Sequence, residues 1–439
     1  MKITESSGSN QSSLKFILRS FHYRNYLLFF SGQCISLIGT WMQNIAMSWL
    51  VYHLTGSALM LGLVGFVGQV PTFFISPFAG VLADRWNRHR ILIFTQTMAM
   101  LQAFTLALLV LTKNVSIWHI IPLSVFLGLV NSLDAPARQS FVVEIVENRN
   151  DLGNAIALNS SMFNGARLVG PSVAGILISL MGEGWCFLIN GVSYFAVIIA
   201  LLAMRIKPFR IEGKQDNIFK NLVEGFAYVG RHAPIRYILM LLALVSLTCM
   251  PYTVLMPIFS SEILRGGPHT LGFLMGTCGM GAFIGAVFLA SRQSVRGVEK
   301  NIPFAAGLFG ISLIFFSQSR SLWFSLLLML FAGFGMIVHL ASCNTVIQTI
   351  VDDDKRGRVM SMYAALFMGM APFGSLFAGT AASRFGAPNT VLVGGIACVI
   401  GSFLFAWKLP ALRKIILPIY EEKLQSQQGK PDYEQVPVT

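Results

Sequence analysis

Asp134, Arg138 and Arg167 stand inside stretches of sequence that are otherwise almost wholly apolar. Asp134 and Arg138 are four residues apart, one helical turn, so on a helix they share a face. Arg167 lies about 15 residues into the next apolar stretch, where a cation at mid-bilayer costs roughly 2.5 to 3.5 kcal/mol unless it is paired or hydrated. If the two stretches run antiparallel from a turn near residue 149, Asp134 and Arg167 fall at similar heights. The three residues are then expected to form one buried charge cluster, with Asp134 its titratable member. Two readings are open for that carboxylate: a permanently ionised pair that fastens two helices, or a group that loads and releases a proton. His339, in a later apolar stretch, is the second proton-coupling candidate because imidazole titrates near neutrality. The alternative there is a core histidine satisfied by hydrogen bonds.

A second pattern is polar and uncharged. Gln33, Ser36, Thr40, Gln43 and Asn44 follow one another at spacings of three, four, three and one, a stripe on one helical face. In lipid such a stripe must face protein or water, so it either fastens helices by hydrogen bonds or lines a cavity. Asn131, Thr248, Tyr252 and Asn344 are further candidates for the same wall. No catalytic constellation is evident, so no enzyme activity is expected. The six cysteines never form Cys-x-x-Cys and read as small packing residues, with no metal or cofactor indicated. Gly213-Lys214 is followed by Gln215 and Gly429-Lys430 by Pro431, so neither is a phosphate-binding loop. That favours an ion gradient over ATP as an energy source.

What must position these residues is a series of twelve apolar segments, near 25–52, 58–82, 91–112, 117–146, 152–181, 184–205, 235–262, 269–292, 302–318, 321–349, 357–383 and 389–409. A helix rising about 1.5 Å per residue needs roughly 20 residues to cross about 30 Å of hydrocarbon. Hydrophobic residues make up 54% of the chain and charged ones 12%, and the mean hydropathy of +0.66 lies outside the range of soluble domains. The fold class is an all-α polytopic membrane protein.

Of the 32 Lys and Arg, 27 fall on the side that carries both chain ends, four on the other, and one is Arg167. The positive-inside rule therefore predicts both termini in the cytoplasm. The same distribution accounts for the net charge of +13, directed at membrane lipids rather than nucleic acid. Residues 1–24 are polar, with no short apolar core and cleavage site, so no removable signal is expected and the first segment should direct insertion.

The sequence also repeats. A shift of 204 residues lays the fifth and sixth segments over the eleventh and twelfth without a gap: Gly153 on Gly357, Phe163 on Phe367, Gly165 on Gly369, Gly170 on Gly374, Ala174 on Ala378, Gly175 on Gly379 and Gly191 on Gly395. Both members of each pair cross the membrane in the same direction, so the repeat is parallel, with its axis along the membrane normal. The expected organisation is an N-terminal segment (1–24), a six-helix bundle (25–205), a cytoplasmic connection (206–234), a second six-helix bundle (235–409) and a tail (410–439). Ile218, Phe219, Leu222, Val223 and Phe226 recur at helical steps in the connection, predicting an amphipathic helix on the inner membrane surface. Residues 421–439 read as disordered.

The turn after the second segment reads Gly80-Val-Leu-Ala-Asp84-Arg85-Trp-Asn-Arg88-His-Arg90, an acid followed by a basic cluster that can bridge two helix ends. It resembles the loop signature of the major facilitator superfamily, with Asn87 where that pattern has Gly; twelve spans in two parallel sixes are also that fold. Gly165-Ala-Arg167-Leu-Val-Gly170-Pro171-Ser-Val-Ala174-Gly175 is similar to the antiporter motif of proton-coupled drug exporters, with Ala174 in place of a Gly. With residues 24–52, 134–141 and 355–363, these motifs resemble the drug:proton antiporter group that includes the enterobactin exporter.

The resemblance covers about residues 20 to 410. It implies a secondary active exporter in a bacterial inner membrane, moving small amphipathic compounds against protons by alternating access and working as a monomer. A dedicated siderophore or metabolite exporter is the alternative, and a channel or transport-inactive sensor a further one. The resemblance also implies a gating role for Gly80, Asp84, Arg85, Arg88 and Arg90, and a cavity lined by the first, fourth, seventh and tenth segments. Several exporters of the superfamily carry an acid in the first segment, and this sequence has none.

Overall fold

The computed structural model describes residues 19–206, 227–292, 295–352 and 354–428, and for 76–85, 149 and 422–428 the backbone alone. Its twelve candidate membrane spans are α1 (Arg24–Thr55), α2 (Ala58–Arg85), α3 (Arg88–Leu111), α4 (Ile117–Ile145), α5 (Arg149–Met181), α6 (Glu183–Leu202), α7 (Ala233–Ile263), α8 (Pro268–Ala290), α9 (Val298–Gln318), α10 (Leu322–Ile350), α11 (Arg356–Phe385) and α12 (Ala387–Gln428). α7 is not one rod: it runs Ala233–Thr248, breaks, resumes as Tyr252–Ile258 and ends in a π-wound turn, Phe259–Ile263. Pro251 stands at the break, and without an N–H it cannot continue the helical bonding. The outer surface stays apolar, with Trp118 78%, Trp323 80% and Phe403 70% exposed, as a lipid-covered surface requires.

Because successive helices alternate in direction, their ends form two sets. The helix ends that flank the α2–α3, α4–α5, α6–α7, α8–α9 and α10–α11 connections lie, with the start of α1 and the end of α12, at what we call the basic end. The other turns lie at the far end. Asn87 caps α3 by accepting from the Arg90 N–H, and Asn148 caps α5 in the same way from Asn150. At the far end Gly182 and Gly386, another pair 204 residues apart, close the α5–α6 and α11–α12 turns at φ of +87° and +83°. Those angles are cheap only for glycine.

The packing repeats as the sequence does. α1 lies against α5 and α6, α2 against α4, and α3 against α4 and α6; in the second half α7 lies against α11 and α12, α8 against α10, and α9 against α10 and α12. The halves meet along two seams, α2 with α11 and α5 with α8. Small residues make both seams possible. A Cβ on Gly62 would lie 2.6 Å from the Ser375 carbonyl oxygen and 2.7 Å from Gly379 Cα, and one on Gly175 would lie 2.8 Å from the Pro268 oxygen and 2.9 Å from Gly272 Cα. Both glycine pairs sit toward the far end, where Tyr52 of α1 also donates to Glu262 of α7.

At the basic end the same helices stand apart. On α5 Gly153, Ile156, Ala157, Ser160 and Phe163 are exposed, and on α11 Gly357, Ser361, Ala364 and Met368. A Cβ on Gly153 or Gly357 would meet nothing within 4 Å. The halves are thus closed at the far end and open at the basic end.

Two expectations need correcting. α12 does not end near 409, and 421–428 is helical rather than disordered. Leu412, Ile416 and Tyr420 recur every four residues and are at most 4% exposed, so they form an apolar stripe that packs on the basic end of the second half. Arg413 fixes that packing through a 2.9 Å ion pair with Glu299 in the first turn of α9. The amphipathic helix expected over 218–226 and the remainder of the tail, 429–439, lie outside the described residues. Before α1, a 3-10 turn (Arg19–His22) docks on the start of α5: Arg19 pairs with Asp151 at 2.9 Å, and the Tyr23 hydroxyl donates to the same carboxylate at 2.7 Å. That bond holds the Tyr23 phenol above its ordinary pKa.

Candidate translocation site

Asp134 lies on α4, 6% exposed, against α3. Thr95 Oγ1 and Gln96 Nε2 both donate to its Oδ1 at 2.8 Å, and Arg138 Nε lies 3.5 Å from Oδ2. Every close partner is thus a donor or a cation, the set a carboxylate accepts. Pro136 follows two residues later and removes an N–H from the helix, freeing the Ser132 carbonyl beside the site.

Arg167 is not part of this cluster, which corrects the sequence expectation. Its guanidinium carbon lies 5.5 Å from the centroid of the Trp41 ring on α1, and Nη2 donates to Met336 Sδ of α10 at 3.4 Å. Helix register had placed Arg167 at about the right height, but the rotation of α5 turns its side chain toward the other half instead of α4. The backbone contributes to this. Pro171 cannot bond back to the Arg167 carbonyl, and α8 closes on that oxygen at Gly279, whose Cβ would lie 2.6 Å from it.

The polar stripe of α1 divides. Gln33, Ser36 and Gln43 are at most 3% exposed and point into the first half. Gln43 donates to Gln102 of α3 at 3.0 Å and accepts from Asn190 of α6 at 2.7 Å, a chain of three amides across three helices. Gln43 is therefore corrected from the cavity wall to a packing role, and Gln33 and Ser36 are buried rather than exposed on such a wall. Thr40 bonds back to the Ser36 carbonyl, and Asn44 alone of the five is exposed. Asn131 and Gln69 are also exposed within their spans, and Gln348 donates to Asn344 at 3.0 Å. Polar groups exposed at such depth belong to a water-filled space. Thr248 bonds to the Leu244 carbonyl, and Tyr252, 2% exposed, contacts Cys278 Sγ at 3.0 Å inside the second half, so Tyr252 is likewise corrected to a core residue.

His339 is fully buried on α10, its Nδ1 3.1 Å from the Ile302 carbonyl of α9 and its ring beside Cys343 Sγ at 3.8 Å. No carboxylate among the described residues pairs with it. In the antiporter-like motif, Gly170 lies against α1 at Trp41 and Ile38, Gly175 lies against α8, and a Cβ on Gly165 would meet open space. In the α2–α3 turn, Arg88 reaches Glu144 of α4 at 3.6 Å and Arg90 supplies the capped N–H. Gly80, Asp84 and Arg85 stand in the last turns of α2, and the side chains of Asp84 and Arg85 lie outside what is described.

The family described as transmembrane secretion effectors matches residues 20–428. The chain belongs to that family, within the major facilitator superfamily. It is a multi-pass membrane transporter of the efflux and secretion type. Among similar proteins, the staphyloferrin A transporter of Staphylococcus aureus is 26% identical over 383 residues, 86% of this chain and 94% of the relative. The multidrug efflux pump Tap of Mycolicibacterium fortuitum is 24% identical over 388 residues, again 86% and 94%. Among solved structures, the nucleoside transporter NupG superposes with a TM-score of 0.67 at 14% identity, over 88% of this chain and 99% of that one. A bacterial homologue of the human lysosomal transporter Spinster, solved in an inward-facing and occupied conformation, gives 0.66 at 14% identity over 91% and 98%. At such identity these two establish the fold alone.

Several contacts of this secretion effector escape sequence reasoning. Thr95, Gln96 and Gln102 are polar residues inside the apolar third span, a signal that was present and points to α4 and α1. Asn190 is the corresponding signal in the sixth. Trp41 and Met336 carried none, since an aromatic ring or a thioether in a span reads as packing.

Proposed function

We propose that this secretion effector exports small amphipathic compounds from the cytoplasm across a bacterial inner membrane by proton antiport, with its basic end and both termini in the cytoplasm. Asp134 is the coupling group. The observation that carries this is the make-up of its site: a carboxylate in mid-span held by two neutral donors and by Arg138, whose side chain is itself 30% exposed. Arg138 can swing from the carboxylate toward water, a freedom that a fully buried cation would lack. Its pairing with Arg138 is the arrangement of the deprotonated carrier. In an antiporter that form accepts cargo, and the opening at the basic end supports the same assignment. The full burial of His339 against a backbone carbonyl favours Asp134 over it in this reading.

Alternating access follows from the two seams. Closing the basic end would bring the α2–α3 turn toward the start of α11, where the space beside Gly357 is open. Asp84 then serves as the gate, because an anion is favoured at a helix N-terminus by about 0.3 to 1 kcal/mol. Asp84→Asn should express normally and lose most transport; wild-type transport would remove the gating role. A dedicated siderophore or metabolite exporter is the second reading, favoured by the relative named for staphyloferrin A.

The central test is substrate-dependent proton movement in vesicles of purified protein. Asp134→Asn should bind substrate and exchange it downhill, yet fail to accumulate it against a gradient when a pH difference is imposed. Uphill transport that survives in Asp134→Asn would end the assignment, and transport without any counterflow of protons would end the antiport reading.

A further inference from the structure

The centre of the molecule holds an ionic imbalance. The described acids at the helix ends have partners: Glu144 with Arg88, Asp151 with Arg19, Glu183 with His53, Glu262 with Tyr52, and Glu299 with Arg413. In mid-span Asp134 and Arg138 answer each other. Arg167 answers to no carboxylate among the described residues. It sits at the middle of α5, beside the middles of α1, α8 and α10, at Trp41, Gly279 and Met336. A guanidinium has five N–H donors. Here one is directed at a thioether sulfur, a weak acceptor, and the flat face lies over an indole. The side chain is partly exposed, at the level where the cavity polar groups Asn44 and Asn131 are found. An intramembrane cation left in this state costs several kcal/mol unless water or an anion completes it.

We infer that Arg167 is the recognition point for an anionic group, a carboxylate or other oxyanion, on the exported compound. The inference rests on the export reading and adds the charge class of its cargo. A planar fork of donors suits a carboxylate, phosphate or sulfonate through two parallel bonds. Trp41 beneath it offers an apolar face for the rest of an amphipathic molecule. Because Arg167 belongs to the first half and Met336 to the second, an oxyanion seated on it also touches the boundary along which the halves move.

The test uses purified protein in nonionic detergent, titrated with anilinonaphthalene sulfonate as an amphipathic anion and ethidium as an amphipathic cation, with tryptophan emission as readout. The anion should bind, Arg167→Gln should weaken it at least about tenfold, the loss of one charged hydrogen-bonding partner, and Arg167→Lys should recover part. Trp41→Phe should remove most of the quenching amplitude, because the indole at the site is the reporter nearest the bound anion. Ethidium affinity should hold or rise in Arg167→Gln. Equal anion affinity in wild type and Arg167→Gln overturns the inference, and so does an equal loss for anion and cation, which would make the guanidinium structural. If Arg167→Gln does not fold, the wild type decides: it should prefer decanoate over methyl decanoate at least about tenfold, and no preference overturns the inference. Proton-driven transport measured in parallel separates the two claims. Anion preference without transport of any probe sinks the export reading and leaves a binding site, whereas transport without anion preference sinks this inference alone.

Discussion

In the first half the mid-span polar groups Asp134 and Gln43 are bonded by side chains of other helices; in the second, most bonds between helices end on backbone carbonyls, the Tyr252–Cys278 and Glu299–Arg413 contacts apart. Asp134 draws on Thr95 and Gln96, and Gln43 links Gln102 to Asn190, so α1, α3, α4 and α6 are joined through side chains. Across the pseudo-repeat, Ser246 donates to the Phe367 carbonyl, Cys249 to Gly394, Cys398 to Ala306 and Ser402 to Pro303, and His339 faces Ile302. The helices of both halves are laid out alike, and the glycine pairs of the two seams match. The chemistry does not. A side chain bonded to a carbonyl takes nothing from the helix it touches, because that oxygen can accept a second bond. Paired amides and carboxylates depend on each other, and losing one strands its partner in a medium without water. Under the proposed mechanism the first half is the more responsive partner, since losing one member of its paired mid-span network strands another.

The seams are where the halves are alike, so they give the sharpest break. Gly62→Val and Gly175→Val should each abolish transport, since even a Cβ would lie under 3 Å from opposing backbone. Thiol-labelling of far-end positions should then show that end open. Loss in one seam only would mean that the symmetry of packing does not extend to function. Next in size is the contrast between Asp134→Asn and His339→Gln. Uphill transport should fall at least about tenfold in the first, 1.4 kcal/mol or more of driving force, and stay near wild type in the second. The reverse would transfer the proton site to α10, and survival in both would leave neither as carrier.

The smallest effects test the polar contacts themselves. Asn190→Ala leaves Gln43 with an unmet acceptor and should lower stability by about 1 to 2 kcal/mol, within the range of interhelical hydrogen bonds in membranes. Ser402→Ala removes a bond to a carbonyl already engaged in its own helix and should cost about 0.5 kcal/mol or less. Denaturant titration of both variants in mixed micelles measures the difference. Equal losses would remove the distinction between the halves.

Much of this was legible before any coordinates. Twelve spans follow from hydrophobic length, and the two-fold layout from glycines repeated at one offset. The α7 break was not legible, because Pro251 inside an apolar run reads equally as a kinked but continuous helix. The helical extension past 409 was missed although Leu412, Ile416 and Tyr420 carried its period, since a charged, Pro-containing stretch after the last span resembles a tail.

Asp134, Arg167 and His339 mark the boundary between what sequence and fold each decide. Sequence determined how deep each lies, because a helix advances a constant distance per residue and the bilayer sets its start and end. It could not determine which way each points, because that angle depends on which neighbour a helix packs against and how closely. Gly170 against Trp41 and Gly279 against the Arg167 carbonyl set the rotation of α5, and with it carry Arg167 away from Asp134 and toward Met336. Depth is a property of one helix and was readable in one dimension; the company each charge keeps belongs to pairs of helices, and only the packed structure supplied it.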